Sequence, residues 1–235
     1  MNKYKNFHEF SDSCQSITTK IRSLNKDAIV DGIINEDKYY HLDSNSPRIL
    51  WILKEPNTSV LQWDYQNLLS TNQLSTSRNY NIQTIRRVLY TSYGILNNFM
   101  EYRLMPFIYE EQVFGIGESI AYINVNKNPG AGGQSIENLL AENAKVYQEI
   151  VNTQIEIYNP DIIILGNVAR FLDRSLFNNT VKSYTNESTC NTALYECSDR
   201  IIIDAYHPGY IMKEAVYCDE IIEGAKRWWS KHKKA

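Results

Sequence analysis

No stretch of this chain is apolar for long enough to cross a bilayer. Its runs of Ile, Leu and Val stop after a handful of residues, where a spanning helix needs roughly 20. The segment Met1 to Phe10 is polar and charged, without the apolar block of a secretory leader. A cytoplasmic protein with no membrane partner is expected. Cysteine is scarce, and Cys14, Cys190, Cys197 and Cys218 form no C-x-x-C pair, which argues against zinc or iron–sulfur ligation. Cys190 and Cys197 leave room for a hairpin pair, but reduced thiols are the preferred reading. An excess of one charge is also missing. The 24 Lys and Arg against 27 Asp and Glu give a net charge of −3. No global basic field announces a tight, non-specific DNA binder. There is no internal repeat and no low-complexity linker.

What the chain does have is four short apolar runs, each ending abruptly in polar, Gly or Pro residues. They are Ile49-Leu50-Trp51-Ile52-Leu53, Ala121-Tyr122-Ile123-Asn124-Val125, Asp161-Ile162-Ile163-Ile164-Leu165-Gly166 and Ile201-Ile202-Ile203-Asp204-Ala205. Such runs read as buried parallel strands. With 235 residues and 43% hydrophobic content, one α/β domain over residues 1–235 is expected. Helical spacing appears at 1–25, which reads as covering one sheet edge, and at 78–100. It recurs from Ser135, read as an N-cap, to the Asn159-Pro160 stop. Further helices are read near 168–177 and over 211–229. Residues 26–47 read as loop with a short helix, 58–77 as a long loop at the functional rim, and 178–199 as irregular with a short hairpin. Strand–helix alternation of this kind predicts a three-layer α/β/α sandwich around a mainly parallel, four-stranded sheet.

In an open α/β sheet, ligands sit beyond the carboxyl ends of the strands. Three of the four ends deliver Glu55, Asn124 and His207 to one rim. In chain order the segments resemble the motifs of the uracil-DNA glycosylase superfamily. Leu53-Lys54-Glu55-Pro56-Asn57 stands in the slot of its first motif, Gly-x-[Asp/Asn/Ala]-Pro-[Tyr/Gly]. Asn124-Val125-Asn126-Lys127 is similar to the Asn-Val-Val-Lys pattern of the four-cysteine branch. Pro160 to Gly166 matches that branch's Pro-x-(apolar)4-Gly, and His207-Pro208-Gly209-Tyr210-Ile211 is similar to the final His-Pro-Ser motif. The resemblance covers about residues 48 to 212. Three departures stand out: Leu53 replaces a Gly, Gly209 replaces a Ser, and the four-cysteine cluster pattern is missing.

The resemblance implies a hydrolase without metal or cofactor that removes uracil or a related damaged base from DNA. The substrate would be single-stranded DNA or a flipped nucleotide. The sequence does not fix the oligomeric state, for which a monomer is the favoured reading. Glu55 would position water and stabilise charge on the sugar. The competing reading of Glu55 is a surface acid paired with Lys54 or a helix end. Asn124 would read the base edge with its paired donor and acceptor, or else satisfy backbone groups where a strand becomes a turn. Asn126 is read as facing the opposite side. A neutral His207 would stabilise the leaving base, unless it is a structural histidine. Pro56 and Asn57 lie in the substrate motif, and Lys127 with the 129–133 turn would touch phosphate. Tyr210 and Ile211 either wedge into the base stack or start the final helix. Trp63, Tyr65 and Tyr80 are the candidates for an aromatic that stacks on the base. Two other readings remain. One is an inactive nucleic-acid or protein binding module, motivated by Leu53, Gly209 and the acidic charge. The other is a hydrolase of small N-glycosides.

Overall fold

The computed structural model describes residues 4–58, 60–61, 63–130, 135–185 and 192–232. Its strands are β1 (Gly32–Ile33), β2 (Ile49–Leu53), β3 (Ala121–Asn124), β4 (Ile162–Gly166), β5 (Val181–Tyr184), β6 (Ala193–Glu196) and β7 (Ile201–Ala205). They form one sheet in the order β1-β3-β2-β4-β7-β6-β5. The four apolar runs are its parallel centre, with Leu53 opposite Asn124, Ile52 opposite Leu165, and Gly166 opposite Ala205. The sheet thus has seven strands and is mixed, not four-stranded. The three extra strands are antiparallel and flank the centre. β1 is only two residues long and β5 is half-exposed, so neither produces a buried apolar run that a sequence reading detects.

The helices are α1 (Phe7–Leu24), α2 (Glu36–Tyr40), α3 (Tyr65–Leu68), α4 (Thr71–Ser77), α5 (Gln83–Leu96), α6 (Glu111–Phe114), α7 (Glu137–Tyr158) and α8 (Glu214–His232). Strand side chains alternate between faces. Trp51, Leu53, Ile164 and Ile203 pack with α5 and α8, whereas Leu50, Ile52, Ile163 and Ile202 pack with α1 and α7. α1 therefore covers a face of the sheet rather than an edge. The Asn6 side chain caps it by accepting the Glu9 backbone N–H. α7 begins after Ile136 without a side-chain cap, so Ser135 is not its N-cap. It ends at Asn159 in a left-handed conformation, ahead of Pro160. The helix expected near 168–177 is two short 3-10 turns, Ala169–Phe171 and Arg174–Phe177. The rim loop at 58–77 contains α3 and α4, capped by Asp64 and Ser70. The hairpin read in 178–199 is β5 and β6. Cys190 lies outside the described residues. No helix among the described residues is long and apolar enough to cross a membrane.

A fully buried ion pair ties the carboxyl end of β3 to the segment before β1 and to α7. Lys127 Nζ donates to Asp31 Oδ1 at 2.7 Å, Asn124 O at 2.8 Å and Gln154 Oε1 at 2.8 Å. Asp31 also accepts the Asn124 backbone N–H at 2.7 Å and Gln154 Nε2 at 3.0 Å. Beside it, a Cβ at Gly32 would fall 2.6 Å from the Tyr158 hydroxyl, so the chain passes α7 there only as glycine. Removing one partner of such a pair leaves the other charge buried and costs about 3–5 kcal/mol. Lys127→Met is expected to lose about that much stability in urea denaturation. A loss below about 1 kcal/mol would mean that the pair does not hold this end together.

Candidate functional site at the carboxyl rim of the sheet

The connections after β2 and β4 leave in opposite directions, since β3 lies to one side of β2 while β7 lies beyond β4. The crevice between two such strands is where ligands of open α/β sheets bind. Glu55 stands two residues beyond the end of β2, and Gly166 ends β4. The registers place Asn124, Leu53, Gly166 and Ala205 at one level. Glu55, Asn126 and His207 sit two residues higher. With strands about 4.8 Å apart, the strand of Asn124 lies about 14 Å from that of His207 across this rim.

The β2–β3 ladder continues past both strands. Val125 and Asn126 donate backbone N–H bonds to the carbonyls of Leu53 and Lys54, at 2.8 and 3.0 Å. This brings the Asn126 carboxamide to Glu55, where Nδ2 donates to Oε2 at 2.9 Å. The expectation that Asn126 faces away from the site is therefore wrong. A period of two returns residue 126 to the face of residue 124. Glu55 is half-buried, and its carboxylate is bonded by this amide rather than by Lys54. Pro56 is buried, and its carbonyl accepts the Gly130 N–H at 2.7 Å. A Cβ at Gly130 would come within 2.9 Å of that oxygen, so glycine lets the turn close over the acid. Asn57 is exposed beside it.

Asn124 is fully buried, yet neither its carboxamide oxygen nor its nitrogen has a hydrogen-bond partner among the described residues. The Tyr65 hydroxyl approaches the amide without reaching hydrogen-bond geometry. Tyr65 stacks on Tyr122 at 4.5 Å, and Trp63 leans on Tyr65 at 4.8 Å. Of the three aromatic candidates, Tyr65 adjoins Asn124, and Trp63 packs on Tyr65. Tyr80 stacks on Phe114 within the core. Lys127 does not reach a phosphate. Its ammonium is spent on Asp31, Gln154 and Asn124 O inside the fold. Residues 131–133 of the expected phosphate turn lie outside the described residues.

His207 is half-buried, and Nδ1 accepts the Gly209 backbone N–H at 3.0 Å. That bond places the ring proton on Nε2. A Cβ at Gly209 would meet both His207 Nδ1 and Thr84 Oγ1 at 3.2 Å, so a side chain there needs both neighbours to give by a few tenths of an ångström. The Leu53 side chain accounts for the glycine at 166. A Cβ on Gly166 would lie 2.1 Å from Leu53 Cδ2 and 3.2 Å from Pro208 Cδ. Leu53 thus leans over Gly166 towards the His207 loop.

The sequence reading missed what holds that loop. Arg87, buried in α5, donates to the carbonyls of Pro208 at 2.8 Å, Tyr210 at 2.7 Å and Met212 at 2.5 Å. Gln83 donates to Tyr210 O at 2.9 Å, and the Tyr217 hydroxyl to Tyr206 O at 3.1 Å. A charged residue between the apolar Ile85 and Val88-Leu89-Tyr90 was the available signal. Tyr206 and Tyr210 stack at 4.5 Å with rings 12° from parallel. Among the described residues, no group of three or more His, Cys, Asp or Glu is placed to hold a metal ion. No protein-family model matches the chain, and no curated protein matches it.

Burial, and secondarily the nearby Lys54 charge, push the His207 imidazole down to about 4. The ordinary value is about 6.5, so the ring is neutral throughout neutral pH. Because the folded value is depressed, the folded state resists protonation. The resulting stability is present above about pH 6.5 and is lost as pH falls from there towards 4. In an NMR titration, the His207 ring signals should stay constant from about pH 8 to 5. Lys54→Ala should raise the midpoint but leave it below the ordinary value, since burial is the larger cause. A wild-type midpoint near 6.5 would contradict this account.

Proposed function

We propose that this chain is a hydrolase of the N-glycosidic bond of uracil, or a related damaged base, in DNA. Its three-layer α/β/α arrangement would be of the uracil-DNA glycosylase kind. The observation that carries the reading is Asn124. A buried carboxamide with both its donor and its acceptor unpaired is rare in folded proteins. Here it stands at the carboxyl end of a central strand, where ligands of such sheets bind. A planar donor–acceptor pair suits the edge of a pyrimidine, and binding the base would satisfy both atoms. Asn124 is buried with Tyr65 beside it, so entry of the base requires its cover to shift.

The chemistry follows from the neighbours. Glu55, oriented by Asn126, positions a water for attack at the sugar carbon and balances positive charge growing on the ring. His207 is neutral, with its proton on Nε2, and donates that N–H to the oxygen on which the departing base gathers negative charge. A neutral donor avoids protonating the base outright, and the depressed His207 titration keeps it in that form. Lys54 adds positive charge to the same region. One observation favours a second reading. Leu53 packs over Gly166 inside the crevice, which suits a module that binds without cleaving.

Oligonucleotides carrying a single uracil, unpaired or opposite guanine or adenine, separate the two after alkali treatment. Uracil-dependent strand breaks are expected with the wild type. Glu55→Gln should reduce them by at least about 100-fold, the usual worth of a positioned general base. Intact strands on every substrate at high protein concentration would overturn the hydrolase reading. Turnover retained in Glu55→Gln would remove Glu55 from the mechanism.

A further inference from the structure

Among the described residues, one side chain donates to the Glu55 carboxylate. It is Asn126, whose Nδ2 lies 2.9 Å from Glu55 Oε2. Asn126 is buried. The two ends of a carboxamide are nearly alike in shape but opposite in hydrogen bonding. Turned over, the same group would set its oxygen against the carboxylate and push it away. What prevents this is the backbone N–H of Asn128, which donates to Asn126 Oδ1 at 2.9 Å. With the oxygen taken, the nitrogen is the end left for the acid. Asn126 stands where the resembled Asn-Val-Val-Lys pattern carries Val, so this bond to the acid is a feature of this chain's own residues.

Asn128 is half-buried, and its carboxamide is anchored by three neighbours. Oδ1 accepts from the Tyr147 hydroxyl at 2.7 Å and from Asn25 Nδ2 at 2.8 Å, and Nδ2 donates to Asn143 Oδ1 at 3.3 Å. Asn25 ends α1, and its own oxygen accepts the Asp27 N–H at 2.9 Å. Asn143 and Tyr147 lie one turn apart on α7. Burial pushes the Tyr147 hydroxyl above its ordinary range, so it stays protonated and donates. The sense of each bond is thus fixed from two helices through to the acid. A turn that only had to satisfy its own polar groups would not need the Asn126 nitrogen aimed at Glu55. A reacting group misplaced by about 1 Å loses up to about 100-fold in rate, and supporting residues that lock its geometry prevent that loss. From this we infer that Asn128, held by Tyr147, is a positioning residue for Glu55. It sets the Asn126 carboxamide, and through it the carboxylate. The role rests on the reading of Glu55 as the acid that positions water.

The test reads the amide and the reaction separately. The side-chain N–H signals of Asn126, assigned by their loss in Asn126→Asp, are recorded by NMR in the wild type, in Asn128→Ala and in Tyr147→Phe. In both variants the signal of the proton on Glu55 should move upfield, towards that of a solvated amide. Uracil release from an oligonucleotide should fall about tenfold in kcat in each variant, with KM within about twofold of the wild type. The double variant should lose no more than Asn128→Ala alone, because both changes break one chain of bonds. Thermal unfolding checks that each variant folds. Tyr147→Phe removes one oxygen and leaves the ring in the core, so it keeps the test open should Asn128→Ala not fold. Asn126 signals at their wild-type positions in the folded variants, or an unchanged kcat, would overturn the inference and leave a turn that is only structural. Losses that multiply in the double variant would overturn it too. A wild type that releases no base would sink the glycosylase reading. The amide signals would then decide alone: movement in both variants upholds Asn128 as the residue that sets Asn126 on Glu55, and no movement overturns it.

Discussion

The rim of this protein is built around one buried charge pair. Lys127 and Asp31 are both removed from water, and neither is tolerable there without the other. Asp31 comes from the segment before β1, Lys127 from just beyond β3, and Gln154 from α7. Satisfying the pair therefore fixes three pieces of chain against one another. The backbone N–H of Asn124 is one of the bonds that complete the Asp31 shell, and its carbonyl completes that of Lys127. The main chain of Asn124 is held from below while its side chain is left without a hydrogen bond among the described residues. The Asp31–Lys127–Gln154 network beside it is closed by hydrogen bonds, which makes the open carboxamide conspicuous.

At the other end of the rim a second charged residue does comparable work by different means. Arg87 has only a long ion pair, with Glu214 at 3.9 Å. It gathers backbone carbonyls, turning residues 206–212 back onto α5. Gly209 permits that approach and presents its N–H to His207 Nδ1. Between the two ends Leu53 and Gly166 are fitted to each other, one side chain lying where the other residue has none. Lys127 and Arg87 would ordinarily be expected at the surface as contacts for an anion. Here both are spent on positioning the backbone that carries the polar groups of the rim.

Much of the centre was legible because buried parallel strands write themselves as unbroken apolar runs. All four such runs are strands, and Glu55, Asn124 and His207 do stand beyond or at their carboxyl ends. β1, β5 and β6 were not counted as sheet because they are short or half-exposed. Their pairing is decided by neighbours, not by their own composition. The helix read near 168–177 failed because Asp173 caps a new turn by accepting the Ser175 N–H, breaking the run into two. Lys127 was misread because no local pattern distinguishes a lysine that will meet Asp31, distant in sequence, from one that faces solvent. Asn126 was different: strand periodicity alone would have put it beside Glu55.

The central claim is that the open carboxamide of Asn124 receives a base. The side-chain N–H signals of Asn124, assigned by their loss in Asn124→Asp, report on it directly. They should be recorded in Glu55→Gln protein with and without a uracil-containing single strand, so that the substrate stays intact. The account predicts that these signals shift downfield on addition of the strand, as an unpaired amide gains its partners. A matched strand carrying cytosine should leave them near their free positions. Signals that do not move while the uracil strand is demonstrably bound would contradict the account, and would place the bound strand elsewhere on the protein.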